Sequence, residues 1–308
     1  MKYRLHLSYL LIAIFCLLLG GCSGSSSASR KEHSGPPRDS TPKVLTPSAD
    51  GVTVYQNDLA SIDASNTSQG YVMVKYNGTN EKVKLQITCP DQSCYTYLIS
   101  DRGAYDTFPL TAGNGSYALQ VLENVAGDTY TVSLAQSINV NIEDEFLPFL
   151  YPNQYVNFHT DSKAVSKGSD LAKDTYSDLD VVQNIYNYVI KNISYDTEKA
   201  QNVSYGYVPD IDDTLSSKKG ICFDYAALMT SMLRSQNIPT KLEVGYSGDA
   251  YHAWISTYID DKGWVDDIIQ FNGDSWQIMD PTLAATNDSA AVKKYVGDGS
   301  HYVVKYTY

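Results

Sequence analysis

Lys218-Lys219-Gly220-Ile221-Cys222-Phe223-Asp224-Tyr225-Ala226-Ala227-Leu228-Met229-Thr230-Ser231-Met232-Leu233-Arg234-Ser235-Gln236-Asn237-Ile238-Pro239 is the stretch whose reading decides the fold. Gly220 breaks the chain, Cys222 follows two residues later, and an apolar run continues until Pro239 stops it. After Cys222, Ala226, Met229 and Leu233 recur at helical spacing, and so do Tyr225, Leu228 and Met232. A helix apolar over most of its circumference is a buried helix. Cys222 therefore stands at or near the N-terminus of a core helix, where free N–H groups and aligned peptide dipoles favour a thiolate. Most core cysteines are inert; a position at a helix start, behind a glycine that lets the backbone turn, points to chemistry instead.

A thiol nucleophile needs a base to take its proton, and the base needs a carboxylate to hold its tautomer. Cys222, His252 and Asp280 supply these groups in chain order. At these residues the chain resembles the transglutaminase-like superfamily of papain-like cysteine enzymes. The matching pieces are Gly-x-Cys-x-Asp-Tyr-Ala-x-Leu from Gly220, Leu-Arg-x-x-x-Ile-Pro from Leu233, His-Ala-Trp from His252, and Trp-x-x-x-Asp-Pro-Thr from Trp276. Each is weak alone; four in the right order make a strong signal. The resemblance implies a Cys-His-Asp triad and acyl transfer through a thioester. It also guides the choice of acid, because the superfamily's aspartate follows a tryptophan by four residues and precedes Pro-Thr. Trp276 to Asp280 fits that spacing, and Asp267 is the alternative. Gly263 to Phe271 then reads as an insertion, with Asn272-Gly273 as the turn that starts the returning strand.

The first residues carry a second message. Lys2 and Arg4 precede an apolar run from Leu10 to Leu19, and Gly20-Gly21 lead to Cys22. This describes a secretory signal over residues 1–21, too short to span a membrane. A cysteine directly after the small residues resembles a bacterial lipobox, so Cys22 is expected to carry lipid at the extracellular face of the cell membrane. The formal net charge is −12 and becomes more negative once the signal leaves, which argues against nucleic acid as partner. Cys16 leaves with the signal and Cys22 takes lipid. Cys89 and Cys94 then remain as a close pair around Pro-Asp-Gln-Ser, and Cys222 is the odd one out. An exported chain could bridge Cys89 to Cys94 across that turn, two free thiols being the alternative.

Taken in order, residues 22–50 are Ser, Gly, Pro, Thr and charge, a flexible tether by composition. Residues 51–140 are expected to form an antiparallel β-sandwich. Short β-branched and aromatic runs such as Tyr71 to Tyr76 and Lys82 to Cys89 alternate with turn clusters such as Asn77-Gly78 and Gly113-Asn114-Gly115. The chain's 26 tyrosines, many on these runs, read first as half-buried packing with hydroxyls in water. Glu143 to Phe158 is an irregular connector with two prolines. Leu179, Val182, Ile185, Tyr186, Val189 and Ile193 predict a helix that starts at Asp178 or Asp180. Residues 197–217 show no periodicity, and Tyr205 and Tyr207 within them are candidates for a wall over the nucleophile. Lys241 to Tyr246 and Tyr251 to Ile259 read as strands, the second with His252, Trp254 and Tyr258 on one face.

The expected fold is α+β, a β-sandwich followed by a papain-like domain over residues 141–308. No cluster has metal-ligand spacing and no Gly-rich phosphate loop appears, so no cofactor is expected. The function classes left are acyl transfer to an amine on protein or cell-wall peptide amides, the same chemistry with water as acceptor, and a non-catalytic surface binding protein.

Overall fold

The alternation in Val83-Lys84-Leu85-Gln86-Ile87-Thr88 sets inside and outside for the N-terminal half. Val83, Leu85 and Ile87 are buried, and the residues between them are half-buried on the other face. The computed structural model describes residues 35–260, 262–265, 269–271, 276–278 and 302–308. Cys22, Asp267 and Asp280 lie outside the described residues.

The N-terminal half contains β1 (Val54–Gln56), β2 (Ala60–Asp63), β3 (Tyr71–Tyr76), β4 (Val83–Thr88), β5 (Cys94–Leu98), β6 (Asp106–Pro109), β7 (Gly115–Ala126) and β8 (Thr129–Val140). These form two antiparallel sheets, β1-β2-β3-β6 and β5-β4-β7-β8. Apolar residues of both sheets enter one core, where the rings of Tyr97 and Phe108 lie 4.9 Å apart. Several tyrosines go deeper than half-burial: Tyr76, Tyr97 and Tyr117 are fully buried, and the Tyr117 hydroxyl donates to the Gly113 carbonyl at 2.8 Å.

Cys89 and Cys94 are free thiols, which corrects the expected bridge. Cys94 pairs with Thr88 across the hairpin, so it lies on the face of Thr88, while the adjacent Cys89 points into the core. Neighbours along a strand face opposite ways, so the two sulfurs cannot meet without turning one side chain through the sheet. Burial pushes the Cys89 thiol up to about 11.

The stretch from Arg38 is also not free, as composition alone suggested. Arg38 donates to the Asp178 carboxylate at 2.6 Å, the Lys43 N–H to the Ser235 carbonyl at 2.8 Å, and the Ser48 N–H to the Tyr71 hydroxyl at 3.1 Å. Backbone hydrogen bonds and one ion pair seat this segment, and apolar content does not register them.

The C-terminal half contains α1 (Lys163–Ala172), α2 (Asp178–Asn192), β9 (Ser194–Tyr195), α3 (Thr197–Asn202), α4 (Ile211–Ser217), β10 (Lys219–Gly220), α5 (Cys222–Ser235), β11 (Thr240–Ser247) and β12 (Ala250–Ile259). After these come β13 (Gly263–Val265), β14 (Ile269–Phe271), β15 (Trp276–Ile278) and β16 (Tyr302–Thr307). Ser177 caps α2: its hydroxyl accepts the Asp180 N–H and the Asp180 carboxylate accepts the Ser177 N–H, so Asp180 is the reciprocal half of a capping box. α5 packs on β11 and β12 of the antiparallel sheet β13-β12-β11-β16, and against α1, α2 and α4 on its other sides. Every residue of α5 from Asp224 to Ser235 is buried. β14 and β15 pair antiparallel with each other, and Asn272 and Gly273 between them lie outside the described residues. Helices and antiparallel sheets are segregated along the chain, and the fold is α+β.

The two halves share one hydrophobic core within a single compact unit from Pro37 to Tyr308. Arg234 shows how tightly they are joined. It is 0% exposed and donates to three backbone carbonyls: Thr240 at 2.9 Å, Tyr151 at 2.6 Å and Tyr308 at 2.8 Å. Burial pushes the guanidinium down to about 9, so it remains charged at neutral pH. One side chain thus ties the end of α5 to the start of β11, to the connector before α1 and to the end of β16. Arg234→Leu removes three hydrogen bonds from a buried cation, with the Tyr308 carbonyl keeping a second donor, the Leu242 N–H at 2.9 Å, and is expected to cost about 3–5 kcal/mol in denaturant unfolding. A loss below about 1 kcal/mol would show that Arg234 is dispensable.

Candidate active site

The helix that carries Cys222 begins where it does because of a short parallel pairing. Lys219 and Gly220 of β10 lie beside Ser194 and Tyr195 of β9, and the Asp196 N–H donates to the Gly220 carbonyl at 2.9 Å. The Tyr225 hydroxyl donates to the Ile193 carbonyl at 2.7 Å, which fixes the first turn of α5 to the end of α2. Gly220 permits the approach: a Cβ there would lie 2.7 Å from the Cβ of Asp224. Ile221 is the N-cap and has no polar side chain to cap with, so the Asp224 carboxylate turns back to accept its N–H at 2.8 Å. Cys222 follows as the first helical residue, half-buried, beside first-turn N–H groups that have no acceptor within the helix.

His252 comes from the sheet. It pairs with Gly245 of β11, is 1% exposed, and stacks on Trp254 two residues along β12 at 6.0 Å. Cys222 and His252 line the same cavity, of about 490 Å³. Most of its wall comes from four parts of the chain. The α5 start gives Ile221, Cys222 and Phe223; the 200–207 segment gives Val203, Ser204, Tyr205 and Tyr207; the sheet gives Val244, Tyr251, His252 and Tyr306; β5 of the N-terminal half gives Thr96 and Leu98. Tyr155, Tyr195 and Tyr308 complete an aromatic lining. Among the described residues the wall carries no Asp, Glu, Lys or Arg side chain.

Behind the wall lies a charged group of three. Asp224, 0% exposed, accepts the Tyr207 hydroxyl at 2.5 Å and lies 2.8 Å from the Lys199 ammonium, which also donates to the Tyr207 oxygen at 2.6 Å. Burial, then the Asp224 carboxylate, push the Tyr207 phenol well above its usual value. Burial likewise pushes Tyr251 up to about 12, with Tyr306, Tyr246 and Cys222 adding smaller contributions. These phenols stay protonated at neutral pH and are available as donors.

The structure thus brings Cys222 and His252 together, with Tyr205 and Tyr207 in the wall where the aperiodic segment suggested one. Cys89 and Cys94 belong to the N-terminal sheets and are absent from the cavity wall. The contribution of Thr96 and Leu98 is a tertiary contact with no local signature. Asp224 did carry a signal that went unused, since an acidic residue two positions after a helix-starting cysteine is placed to cap the helix.

Residues 166–266 match the family model of the transglutaminase-like superfamily. The match spans about a third of the chain and includes Cys222 and His252. A UPF0252 protein of Methanocaldococcus jannaschii is 32% identical over 98 residues, a stretch that covers 28% of this chain and 28% of that protein. Among solved structures, a candidate cysteine protease from Cytophaga hutchinsonii is similar with a TM-score of 0.34 at 16% identity, over 75% of this chain and 69% of the other. Red sea bream transglutaminase is similar with a TM-score of 0.26 at 14% identity, over 69% of this chain and 48% of that one. The family match supports a cysteine enzyme in general terms; likenesses this distant add no argument about the reaction.

The 203–207 wall meets the N-terminal half at Tyr205, whose ring lies 5.7 Å from the Lys84 ammonium, and most closely at Gly206. Gly206 has φ +79, and a Cβ there would lie 2.1 Å from Cδ1 of Leu98. Gly206→Ala is expected to destabilise by about 1–2 kcal/mol from the left-handed backbone alone, and more from the clash. In a Leu98→Ala background the clash part should vanish and the backbone part remain. A double-mutant cycle by chemical denaturation reads the coupling; additive effects would show that the two residues are not in contact.

Proposed function

We propose that the protein is a cysteine-dependent acyl-transfer enzyme with Cys222 as nucleophile, His252 as general base and acid, and Asp280 as the residue that orients His252. The observation that carries this reading is the placement of Cys222, at the start of a buried helix, on one cavity wall with His252. In the first step the Cys222 thiolate attacks a carboxamide carbon, and a C–S bond forms. The Cys222 backbone N–H stabilises the oxyanion, as helix-start donors do. The C–N bond then breaks, and protonated His252 gives its proton to the departing amine. A thioester remains on Cys222. An acceptor amine or water attacks it, His252 takes the acceptor's proton, and the thiolate leaves. These steps need no cofactor.

The wall suits an uncharged acyl group. With no Asp, Glu, Lys or Arg among its described residues, and tyrosines from the connector, the 203–207 segment and the C-terminal sheet, it favours a carboxamide on an apolar or aromatic neighbourhood. The same feature bears on the acceptor. Water stands at about 55 M, so transfer to an amine requires a site that holds the amine and excludes water. The aromatic wall serves the exclusion. The acidic chain draws ammonium groups near, but no described wall carboxylate selects one, and this favours hydrolysis as the second reading. We place the enzyme outside the cell, tethered by lipid at Cys22, with protein or cell-wall peptide amides as substrates; the mass of the mature N-terminus checks the lipid.

The test uses the chain from Cys22 to Tyr308, because Thr96 and Leu98 belong to the cavity. Casein is incubated with a labelled primary amine, and both label incorporation and ammonia release are followed. Incorporation that is lost in Cys222→Ala is the expected result. Ammonia release without label, at a rate unmoved by millimolar amine, would establish the hydrolase instead. Neither product, from a folded protein, would count against catalysis on this substrate class.

A further inference from the structure

We propose that Lys199, Tyr207 and Asp224 form a buried positioning network that fixes the Cys222 turn and cancels the carboxylate charge beside it. The proposal rests on the reading of Cys222 as nucleophile. Asp224 is two residues from Cys222 in the first turn of α5 and has no access to solvent. A carboxylate there does one useful thing and one harmful thing. It closes the helix start by accepting the Ile221 N–H at 2.8 Å, and it puts a negative charge where a thiolate must form. A like charge so close disfavours the thiolate.

The rest of the network answers that charge. Oδ2 of Asp224 lies 2.8 Å from the Lys199 ammonium, and Oδ1 accepts the Tyr207 hydroxyl. Lys199 also donates to the Tyr207 oxygen at 2.6 Å and lies over the Tyr207 ring at 4.5 Å, so the three groups close a ring of contacts. Lys199 comes from α3 and Tyr207 from the wall segment, so the network also anchors the wall to the nucleophile's helix. The other titratable groups that face the cavity are His252 and the phenols of Tyr155, Tyr195, Tyr205, Tyr251, Tyr306 and Tyr308. Burial pushes the phenols of Tyr155, Tyr251 and Tyr308 up, and among the described groups Lys199 is the cation that forms an ion pair with Asp224. Electrostatic cancellation is what separates this network from plain packing: packing would be served by an uncharged partner.

The pH dependence of iodoacetamide alkylation at Cys222 tests it, in a Cys94→Ser background with the modified peptide identified by mass. Lys199→Met uncovers the Asp224 charge. It is expected to move the alkylation midpoint up by about one pH unit, the effect of one unit charge within about 10 Å at an effective dielectric of about 20. Lys199→Arg should stay near the wild-type midpoint, and adding Asp224→Asn to Lys199→Met should bring the midpoint back down. Should the double variant fail to fold, the Met and Arg variants still decide. A midpoint in Lys199→Met within about 0.3 unit of wild type would overturn the proposal, whatever the melting temperature does. The comparison is between variant and wild type, so it is separate from the wild-type profile itself: an unperturbed wild-type thiol would count against the nucleophile reading and leave the Lys199 shift as a distinct result.

Discussion

The structure depends on burying one helix, α5, with an ionisable side chain sealed near each end. Asp224 in the first turn and Arg234 in the last are both 0% exposed. Their signs suit the helix, with negative charge near the N-terminal partial positive and positive charge near the C-terminal partial negative. Burying a charge is tolerable only where its hydrogen bonds are complete, and removing partners from one costs several kcal/mol. Arg234 meets this with three carbonyls from three parts of the chain, Asp224 with Ile221, Tyr207 and Lys199. The helix therefore has one depth and one rotation. Cys222 is held at a fixed place on the cavity wall because both ends of its helix are.

That constraint explains why the two halves act together. The Arg234 contact to Tyr151 and the Tyr97, Tyr155 and Tyr308 ring cluster join the N-terminal sheets to the C-terminal sheet. The cavity forms along this seam, and Thr96 and Leu98 supply part of its wall. An acidic chain thus presents a site whose described wall carries no Asp, Glu, Lys or Arg, with phenols, a thiol and a histidine among its polar groups. In such a setting a substrate is chosen by its apolar surroundings and by hydrogen bonds, and a charge that does matter is kept behind the wall.

Much of this was legible in the sequence where residues repeat at a structural period. The alternation of β4 and the spacing of α2 predict elements within a residue or two of those observed, and the start of α5 is met at Cys222, although its helix ends at Ser235, before Pro239. Short elements were not legible: α3 has six residues and α4 seven, less than two turns, so no period could show. The same holds for β1, β2 and β6, which have three or four residues. The Cys89–Cys94 bridge failed on strand parity, since the residue opposite Cys94 is Thr88 and not Cys89. The order Cys222, His252 was readable from motifs, whereas the Lys199, Tyr207 and Asp224 network depends on tertiary placement of an aperiodic segment. Asp280 lies outside the described residues, so its role rests on the motif.

The central claim is that His252 sets the reactivity of Cys222, and the rate of Cys222 alkylation by iodoacetamide against pH, with and without His252, tests it most directly. The expected result is a wild-type thiol that reacts at half its limiting rate well below pH 8.5, the reference for a free cysteine of about that pKa. His252→Ala should lower the rate at neutral pH and move the midpoint towards that reference, with the melting temperature little changed. A profile that is the same in both proteins, or a native Cys222 protected across the whole range, would contradict the account.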